Sequence, residues 1–210
     1  GDDTFQAAAN WWATVKTGNT FLRADGFDKV QAFAVYGGND VAWLYDSGGD
    51  DTFEGTPKSS KLTGTGFHLE ANTFEEVHAI ARAGGVDKAN ITGSTGNEHL
   101  VGWTGETRLY GSNYYLRSQG FDEAIVTAGG GYDTAYLYDS PGDDIFQAAV
   151  NWWATMKTGN TFLRADGFDQ VTAEAKFGGK DVAWLYDSQG NDIFRGGPTS
   201  STLSGAGFWL

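Results

Sequence analysis

The chain has 210 residues, with 31 glycines, three prolines, no cysteine, 15% aromatic residues and a formal net charge of −13. Frequent glycine with few prolines and many aromatic residues excludes a disordered or collagen-like chain and favours the all-β classes. The fourteen Lys and Arg residues are not clustered, so we expect no nucleic-acid binding. No apolar run is long enough to cross a bilayer, so we expect no membrane insertion.

The chain is a tandem repeat. Residues 1–48 match residues 142–189 at 38 of 48 positions without a gap, a displacement of three periods of about 47 residues. We therefore predict a single repeat array over 1–210, with units at approximately 1–48, 49–95, 96–141 and 142–189 and a partial unit at 190–210. Because the chain starts at Gly1 and stops partway through a unit, we expect it to be a segment of a longer protein.

Within each unit, a Gly-x-Asp-apolar phrase predicts a turn followed by a short strand. In chain order, the strands whose inward side chains we predict from alternation contain Val30, Ala32 and Ala34; Ala42 and Leu44; Val77, Ala79 and Ala81; Ala89 and Ile91; Ala124, Val126 and Ala128; Ala135 and Leu137; and Ala183 and Leu185. The small size of these residues indicates layers that approach closely.

These features predict an all-β parallel β-helix, or β-solenoid, in which each unit of about 47 residues forms two coils of about 23 residues each. Blades of a β-propeller are the alternative, because four antiparallel strands also fit a unit of this length. An open solenoid accepts a fractional number of units more readily than a closed ring, and this favours the solenoid.

The phrase at residues 44–53, Leu-Tyr-Asp-Ser-Gly-Gly-Asp-Asp-Thr-Phe, recurs at 137–146 and 185–194. It resembles tandem repeats of very large bacterial surface proteins, loosely of the haemolysin-type calcium-binding (RTX-like) class. The resemblance implies a secreted or surface-displayed β-solenoid with calcium in its turns. The calcium-binding nonapeptide has a nine-residue period, whereas the Gly-x-Asp phrases here lie eleven and twelve residues apart. The second unit also departs from the pattern, with Gly93 and Glu98 at positions that hold aspartate elsewhere.

The recurring turn carboxylates are the candidate metal ligands, because Ca²⁺ prefers oxygen ligands. The set comprises Asp46, Asp50, Asp51, Asp139, Asp143, Asp144, Asp187 and Asp192. The alternative is that these side chains accept hydrogen bonds from the turn backbone and bind no ion.

A set of outward aromatic residues is the candidate contact surface. It comprises Trp43, Tyr45, Tyr136, Tyr138, Trp184 and Tyr186, with Phe33 on the variable face of its strand. If the paired positions align, they form one stripe that contacts another chain or stacks on sugar rings. The third possibility is that a further layer of the same chain, containing Trp11, Trp12, Trp152 and Trp153, covers them.

The sequence contains little evidence of a catalytic site. The three histidines, His68, His78 and His99, show no metal or triad spacing and are expected at the surface. The carboxylate pairs recur with the repeat, whereas an active site is normally one cluster in one pocket. We therefore expect a non-enzymatic structural module of an extracellular fibre, stalk or cell-surface protein that self-associates end to end or laterally. The alternatives are a glycan-binding surface adhesin and a polysaccharide lyase.

Overall fold

The computed structural model of the chain describes residues 1–150 and 152–210. All regular structure in this part of the chain is β-strand, and no helix that could span a membrane occurs in it.

Each complete unit contributes five strands. Unit 1 contains β1 (Asp3–Ala8), β2 (Trp12–Thr17), β3 (Thr20–Asp25), β4 (Lys29–Phe33) and β5 (Val41–Tyr45). Unit 2 contains β6 (Thr52–Gly55), β7 (Ser59–Gly64), β8 (Phe67–Asn72), β9 (Glu76–Ile80) and β10 (Lys88–Thr92). Unit 3 contains β11 (His99–Trp103), β12 (Glu106–Tyr110), β13 (Tyr115–Gln119), β14 (Glu123–Thr127) and β15 (Thr134–Tyr138). Unit 4 contains β16 (Ile145–Ala149), β17 (Trp153–Thr158), β18 (Thr161–Asp166), β19 (Gln170–Glu174) and β20 (Val182–Tyr186), and the partial unit contains β21 (Ile193–Gly196), β22 (Ser201–Gly205) and β23 (Phe208–Trp209).

The strands form two sheets that face each other across the core. The long sheet has 13 strands in the order β21-β22-β23-β19-β15-β11-β12-β13-β9-β5-β1-β2-β3. The short sheet has 10 strands in the order β20-β16-β17-β18-β14-β10-β6-β7-β8-β4. We call the end formed by β3 and β4 the lower end of the solenoid, and the end formed by β20 and β21 the upper end.

The solenoid of about six turns confirms the predicted fold class. The propeller alternative is wrong, because strands of successive units pair in parallel within continuous sheets. The predicted coil of about 23 residues is also wrong. Residues paired across neighbouring parallel strands are 35 to 39 positions apart. Asn90 and Ile125 mark the lower limit, and Glu76 and Tyr115 mark the upper one.

The longer coil results from an antiparallel meander at the start of each unit, such as β1-β2-β3. The turn from β2 to β3 is a two-residue hairpin, in which Thr17 pairs with Thr20 around Gly18 and Asn19. Gly18 has a φ of 54°, which this kind of turn requires and which glycine adopts at little cost. The chain therefore folds back twice before it crosses to the opposite sheet.

The three-stranded meanders of successive units lie on alternating sheets of the solenoid. The meander of unit 1 is in the long sheet, that of unit 2 (β6-β7-β8) is in the short sheet, and that of unit 3 (β11-β12-β13) is in the long sheet again. A unit of five strands thus advances two and a half strand levels and makes about one and a half turns, which leaves a net half-turn between the starts of successive units. Equivalent residues of neighbouring units consequently face opposite directions.

The predicted inward residues lie in the core between the sheets. Ala42, Leu44, Ala79, Ala135 and Leu137 are fully buried, and Val77, Ala81, Ala89, Ile91, Ala124, Val126 and Ala128 are nearly so. Val30 and Ala34 are partly buried beside the buried Ala32. Leu185 packs against the core, but Ala183 is exposed because β20 is the last strand of the short sheet.

One glycine position allows the coils to approach closely. A Cβ atom on Gly85, whose φ is 112°, would lie 2.2 Å from the carbonyl oxygen of Gly49 in the coil below. The equivalent Gly179 meets Gly142 in the same way, at 2.0 Å. Any side chain at these positions would separate neighbouring coils.

Candidate functional site: carboxylate ladders and an outer aromatic face

Acidic residues that precede the parallel strands form ladders along the solenoid. The N–H of Asp3 donates to Asp40 Oδ1 at 2.7 Å, and the N–H of Asp40 donates to Glu75 Oε2 at 2.9 Å. The same bonds run from Asp51 through Asp87 to Asp122, from Glu98 through Asp133 to Asp169, and from Asp144 to Asp181. Each bond joins a backbone amide to a carboxylate one coil higher.

The ladder carboxylates satisfy backbone groups that lie away from water. Asp40, Asp87 and Asp133 are almost fully buried. Bonds from an N–H to a charged carboxylate are stronger than neutral ones, and a buried N–H without a partner is costly. The ladders therefore hold consecutive coils together. The recurring Gly-x-Asp phrase had predicted turns at several of these residues, but not a contact between coils.

The candidate metal ligands are also occupied by hydrogen bonds. Asp46 Oδ2 accepts the N–H groups of Arg82 and Ala83, both at 2.7 Å, and Asp50 Oδ1 accepts that of Val86 at 2.8 Å. The remaining carboxylates behave alike: Asp51, Asp144 and Asp192 accept from Ser47, Ser140 and Ser188, Asp139 accepts from Lys176 and Phe177, and Asp143 accepts from Lys180. Asp187 is exposed at the upper end.

Two of the candidate metal ligands, Asp139 and Asp144, converge at one corner with Asp181, a residue outside the predicted set. Oxygens of Asp139, Asp144 and Asp181 all lie within 4.8 Å of one another. Ca²⁺ takes six to eight oxygen ligands, so this corner would supply only part of its shell. The bonds from backbone amides account for the carboxylates without an ion, and the geometry thus fits the turn-stabilising role.

Burial at the equivalent corner of the first two units disfavours negative charge. Burial raises the pKa of Asp87 to about 6, and the neighbouring carboxylates of Asp51, Asp46 and Asp122 add to this effect, although the N–H of Asp51 opposes it. Burial raises the pKa of Asp46 in the same direction. The ladders therefore combine strong hydrogen bonds with repulsion between carboxylates.

The second unit departs from the aspartate pattern through a compensating pair of changes. A Cβ atom on Gly93 would lie 2.8 Å from Glu98 Oε2, so the longer glutamate uses the space that an aspartate side chain occupies in other units. Glu98 Oε1 still accepts from the hydroxyl of Ser94, and the N–H of Glu98 continues the ladder to Asp133. The ladder thus survives the substitution.

The outer face of the long sheet carries stacked aromatic rings. Trp43 stacks on His78 with ring centroids 3.8 Å apart, and His78 meets the edge of Tyr115 at 5.6 Å. Two further contacts, Tyr110 with Tyr115 at 4.9 Å and His99 with Tyr136 at 5.3 Å, continue the series along the axis. We call these residues, together with Trp103 and Tyr138, the aromatic face.

The expectation of a single aromatic stripe is wrong. Trp43, Tyr45, Tyr136 and Tyr138 lie on the long sheet, whereas Trp184, Tyr186 and Phe33 lie on the short sheet. The half-turn between successive units separates them. The third possibility, a covering layer, does not hold for Tyr45, because Trp12 lies beside it on the same sheet, with ring centroids 6.4 Å apart, and does not cover it.

An ion-pair cluster adjoins the aromatic face. Glu106 Oε1 accepts from Arg108 Nε at 2.5 Å and from Arg117 Nε at 3.1 Å. The guanidinium of Arg108 lies 4.7 Å from the ring centroid of Trp103. Although burial raises it, the pKa of Glu106 is lowered overall by the two arginines. This arrangement holds Arg108 against the ring of Trp103 and keeps Glu106 ionised, so Glu106 is not suited to act as a general acid.

The expectation that all three histidines lie at the surface is wrong for His78. Its ring is buried between Trp43 and Tyr115, and its Nε2 lies 2.6 Å from Glu76 Oε1. Burial lowers the pKa of His78, and Glu76 opposes this effect. The alternation of side chains along β9 placed His78 on the outer face, but which rings cover it depends on strands from other units.

Comparisons of the chain with protein-family models, curated proteins and solved structures find no match in any of the three.

Proposed function

We propose that the chain is a structural repeat module of an extracellular fibre, stalk or cell-surface protein, in which stacked units set length and stiffness. The observation that carries this proposal is the carboxylate ladder, which repeats with the units and joins each coil to the next. A repeated contact that serves stacking is what a spacer requires. An enzyme requires one unrepeated cluster in a pocket.

The dimensions of the chain suit a rod. Neighbouring strands lie about 4.8 Å apart, so the long sheet of 13 strands extends about 58 Å along the axis. Small-angle X-ray scattering should therefore give a longest dimension slightly greater than this length, because side chains and loops extend beyond the outermost strands.

Localisation tests the proposal. Gold-labelled antibodies against the chain, applied to intact and to sectioned producing cells, are expected to label the cell surface or fibres that extend from it. Label confined to the cytoplasm would overturn the proposal.

An enzyme assay tests the lyase alternative. The chain should release no unsaturated products from uronate-containing polysaccharides, and robust turnover would overturn the proposed structural function.

The glycan-binding alternative is favoured by one observation, the exposure of two equivalent tryptophans. Trp11 and Trp152 are each 75% exposed beside β2 and β17. On the aromatic face, by contrast, Trp43 and His78 stack on each other with ring centroids 3.8 Å apart, and His78 is buried. Binding on glycan arrays that is lost in Trp11→Ala and Trp152→Ala variants would support an adhesin, and an unchanged pattern would exclude these two sites.

A further inference from the structure

The outer face of the long sheet is aromatic between β2 and β15. The strand registers arrange its outward side chains in three rows along the axis, and the middle row contains Gln6, Trp43, His78, Arg117, Arg108 and Val101. This face lies on the side of the solenoid, so strands added at either end would extend the sheet and leave the face uncovered. A partner of this face therefore approaches from the side.

This part of the sheet is nearly neutral, although the chain is strongly acidic. Its outward charged side chains are three cations, Lys16, Arg108 and Arg117, and two carboxylates, Glu76 and Glu106. Three cations and two carboxylates leave a formal charge of +1, whereas the whole chain carries −13. The ladder carboxylates lie at the edges of the sheets instead. A second copy of the chain thus meets little repulsion here, whereas a polyanion or a polycation gains little net attraction.

The side chains of this face are already held in place. His78 and Ile80 point outward but are only 5% and 4% exposed, because large neighbours pack over them. Glu106 accepts hydrogen bonds from both Arg108 and Arg117. Trp, Tyr and Arg are the residue types enriched in the hot spots of protein interfaces, and ordered side chains lose little conformational entropy on binding. The face therefore has the composition and the rigidity of a protein contact surface.

The size of the face suits a dimer. Eight strands from β2 to β15 extend about 38 Å along the axis, and the three outward positions of each strand extend about 17 Å across it. The product is about 650 Å² per copy, or about 1,300 Å² for a pair, which lies in the lower part of the range for specific interfaces. We therefore expect a reversible dimer.

Repulsion between arginines restricts how two such faces pair. If the two copies ran parallel, Arg108 and Arg117 would each face the same residue of the second copy, because they lie in the middle row. An antiparallel pair with its twofold axis between β12 and β13 would place Arg117 over Arg108 of the second copy. An antiparallel pair with the axis between β9 and β13 avoids both. It places Arg108 over Trp43 of the second copy, and Glu106 over Tyr45.

The same axis gives complementary contacts elsewhere on the face. Glu76 lies over Tyr115 of the second copy, whose hydroxyl donates to the carboxylate, and Trp103 lies over the small Ala8. An axis on β9 itself would instead place Glu106 over Ala8, and a buried carboxylate without a donor is costly. Within one copy, the guanidinium of Arg108 already lies 4.7 Å from the ring centroid of Trp103, so contact with a second tryptophan repeats a geometry that the chain uses.

We propose that two copies of this chain pair side by side and antiparallel, through the outer faces of their long sheets, with the twofold axis between β9 and β13. The same surface serves both copies, so the contact closes on itself and yields a dimer. In a fibre or at a cell surface, this contact joins neighbouring solenoids laterally. The inference deepens the proposed structural function and rests on it, because it specifies the partner and the surface.

Analytical ultracentrifugation of the purified chain tests the dimer. The parent is expected to show a monomer–dimer equilibrium between about 1 μM and about 1 mM. The double variant Trp43→Asn with Tyr45→Thr removes the partners of Arg108 and Glu106, and should weaken the dimer by at least about tenfold. Unit 2 has Asn90 and Thr92 at these positions, so the repeat accepts these residues and circular dichroism should remain unchanged.

The matched control makes the same two changes on the other sheet. Trp184→Asn with Tyr186→Thr alters the equivalent positions of unit 4, which lie on the short sheet, and should leave the dimer unchanged. A parent chain that stays monomeric over the whole concentration range overturns the proposal, and so does equal dimerisation of the two double variants. If the parent is monomeric and binds glycans in a way that only W43N/Y45T abolishes, the face is a glycan site and the pairing is refuted.

Distances between spin labels test the orientation of the pair. The chain has no cysteine, so Thr14→Cys on the outer face of β2 gives one labelling site per copy. Because β2 lies three and a half strand levels from the proposed axis, the two labels of a dimer should be about 35 Å apart. In a parallel pair they would be within about 20 Å of each other, and that result would overturn the proposed contact.

The inference and the proposed function fail in different ways. A chain that is found at the cell surface but is monomeric would refute only the dimer. A dimeric chain confined to the cytoplasm would refute only the proposed function.

Discussion

Replacing the buried carboxylate of Asp87 with an amide should stabilise the protein at neutral pH. Asp87 is only 3% exposed, and its carboxylate accepts the N–H of Asp51 at 2.8 Å. Burial raises its pKa to about 6, from an ordinary value of 3.8, and nearby carboxylates contribute. Because its folded-state pKa lies above the unfolded value, the contribution of Asp87 to stability is greatest below about pH 4 and is lost as the pH rises through 6.

The magnitude follows from the shift in pKa. A difference of roughly two pH units corresponds to about 3 kcal/mol of unfolding free energy lost between pH 4 and pH 7.5. Asp87→Asn removes the charge but keeps an oxygen that accepts from Asp51, so at pH 7.5 we expect it to be about 1–3 kcal/mol more stable than the parent. Asp87→Ala removes the acceptor as well and leaves the Asp51 amide unsatisfied. It should be about 1–3 kcal/mol less stable than D87N.

Urea unfolding of the parent, D87N and D87A between pH 4.5 and pH 7.5 measures these differences. Asp50→Asn, at an exposed carboxylate of the same turn, is the matched control and should change stability little. A D87N protein that is less stable than the parent at pH 7.5 without added metal would refute the reasoning. In that case, the stabilisation from the hydrogen bond to the charged carboxylate of Asp87 would exceed the destabilisation from its burial and from repulsion by neighbouring carboxylates.

Three further changes test other parts of the structure. Gly85→Ala should destabilise the fold by about 2 kcal/mol or more, because the residue has a φ of 112° and its new Cβ would clash with the carbonyl oxygen of Gly49. Gly130→Ala is the control and should be tolerated, because the nearest atom to its Cβ would be 4.0 Å away. Equal thermal midpoints of the two variants would contradict this prediction. Hydrogen bonds from His68 and Gln31 lower the pKa of Glu70 to about 2, so its contribution to stability is present above about pH 4.5 and is lost as the pH falls towards 2. Glu70→Gln should therefore unfold in acid with a shallower pH dependence, and an unchanged profile would exclude this role. Because backbone amides already bond to the corner carboxylates, we expect the same melting midpoint in excess calcium and in chelator, and a midpoint raised by calcium would show that an ion binds and contradict the turn-stabilising role.

The sequence alone determined the unit and the faces of its strands. Alternation along residues 30–35 and 171–176 separated the constrained side from the variable one, because successive side chains of a strand point to opposite faces whatever lies beside it. Inward residues such as Ala42 and Leu44 were therefore predicted correctly. The repeated glycines and aspartates located the turns, since both act on the backbone within a few residues.

Pairing between strands required the tertiary structure. Alternation has the same period in parallel and antiparallel strands, so it could not distinguish a meander from two short coils. The Gly18-Asn19 turn was a hairpin signal in the sequence, but its consequence appears only when β2 and β3 occupy levels of the same sheet. The resulting half-turn between units places Trp43 and Trp184 on opposite faces, although they are equivalent in sequence. Which residues converge thus depends on the winding of the whole chain, because residues of neighbouring coils lie 35 to 39 positions apart.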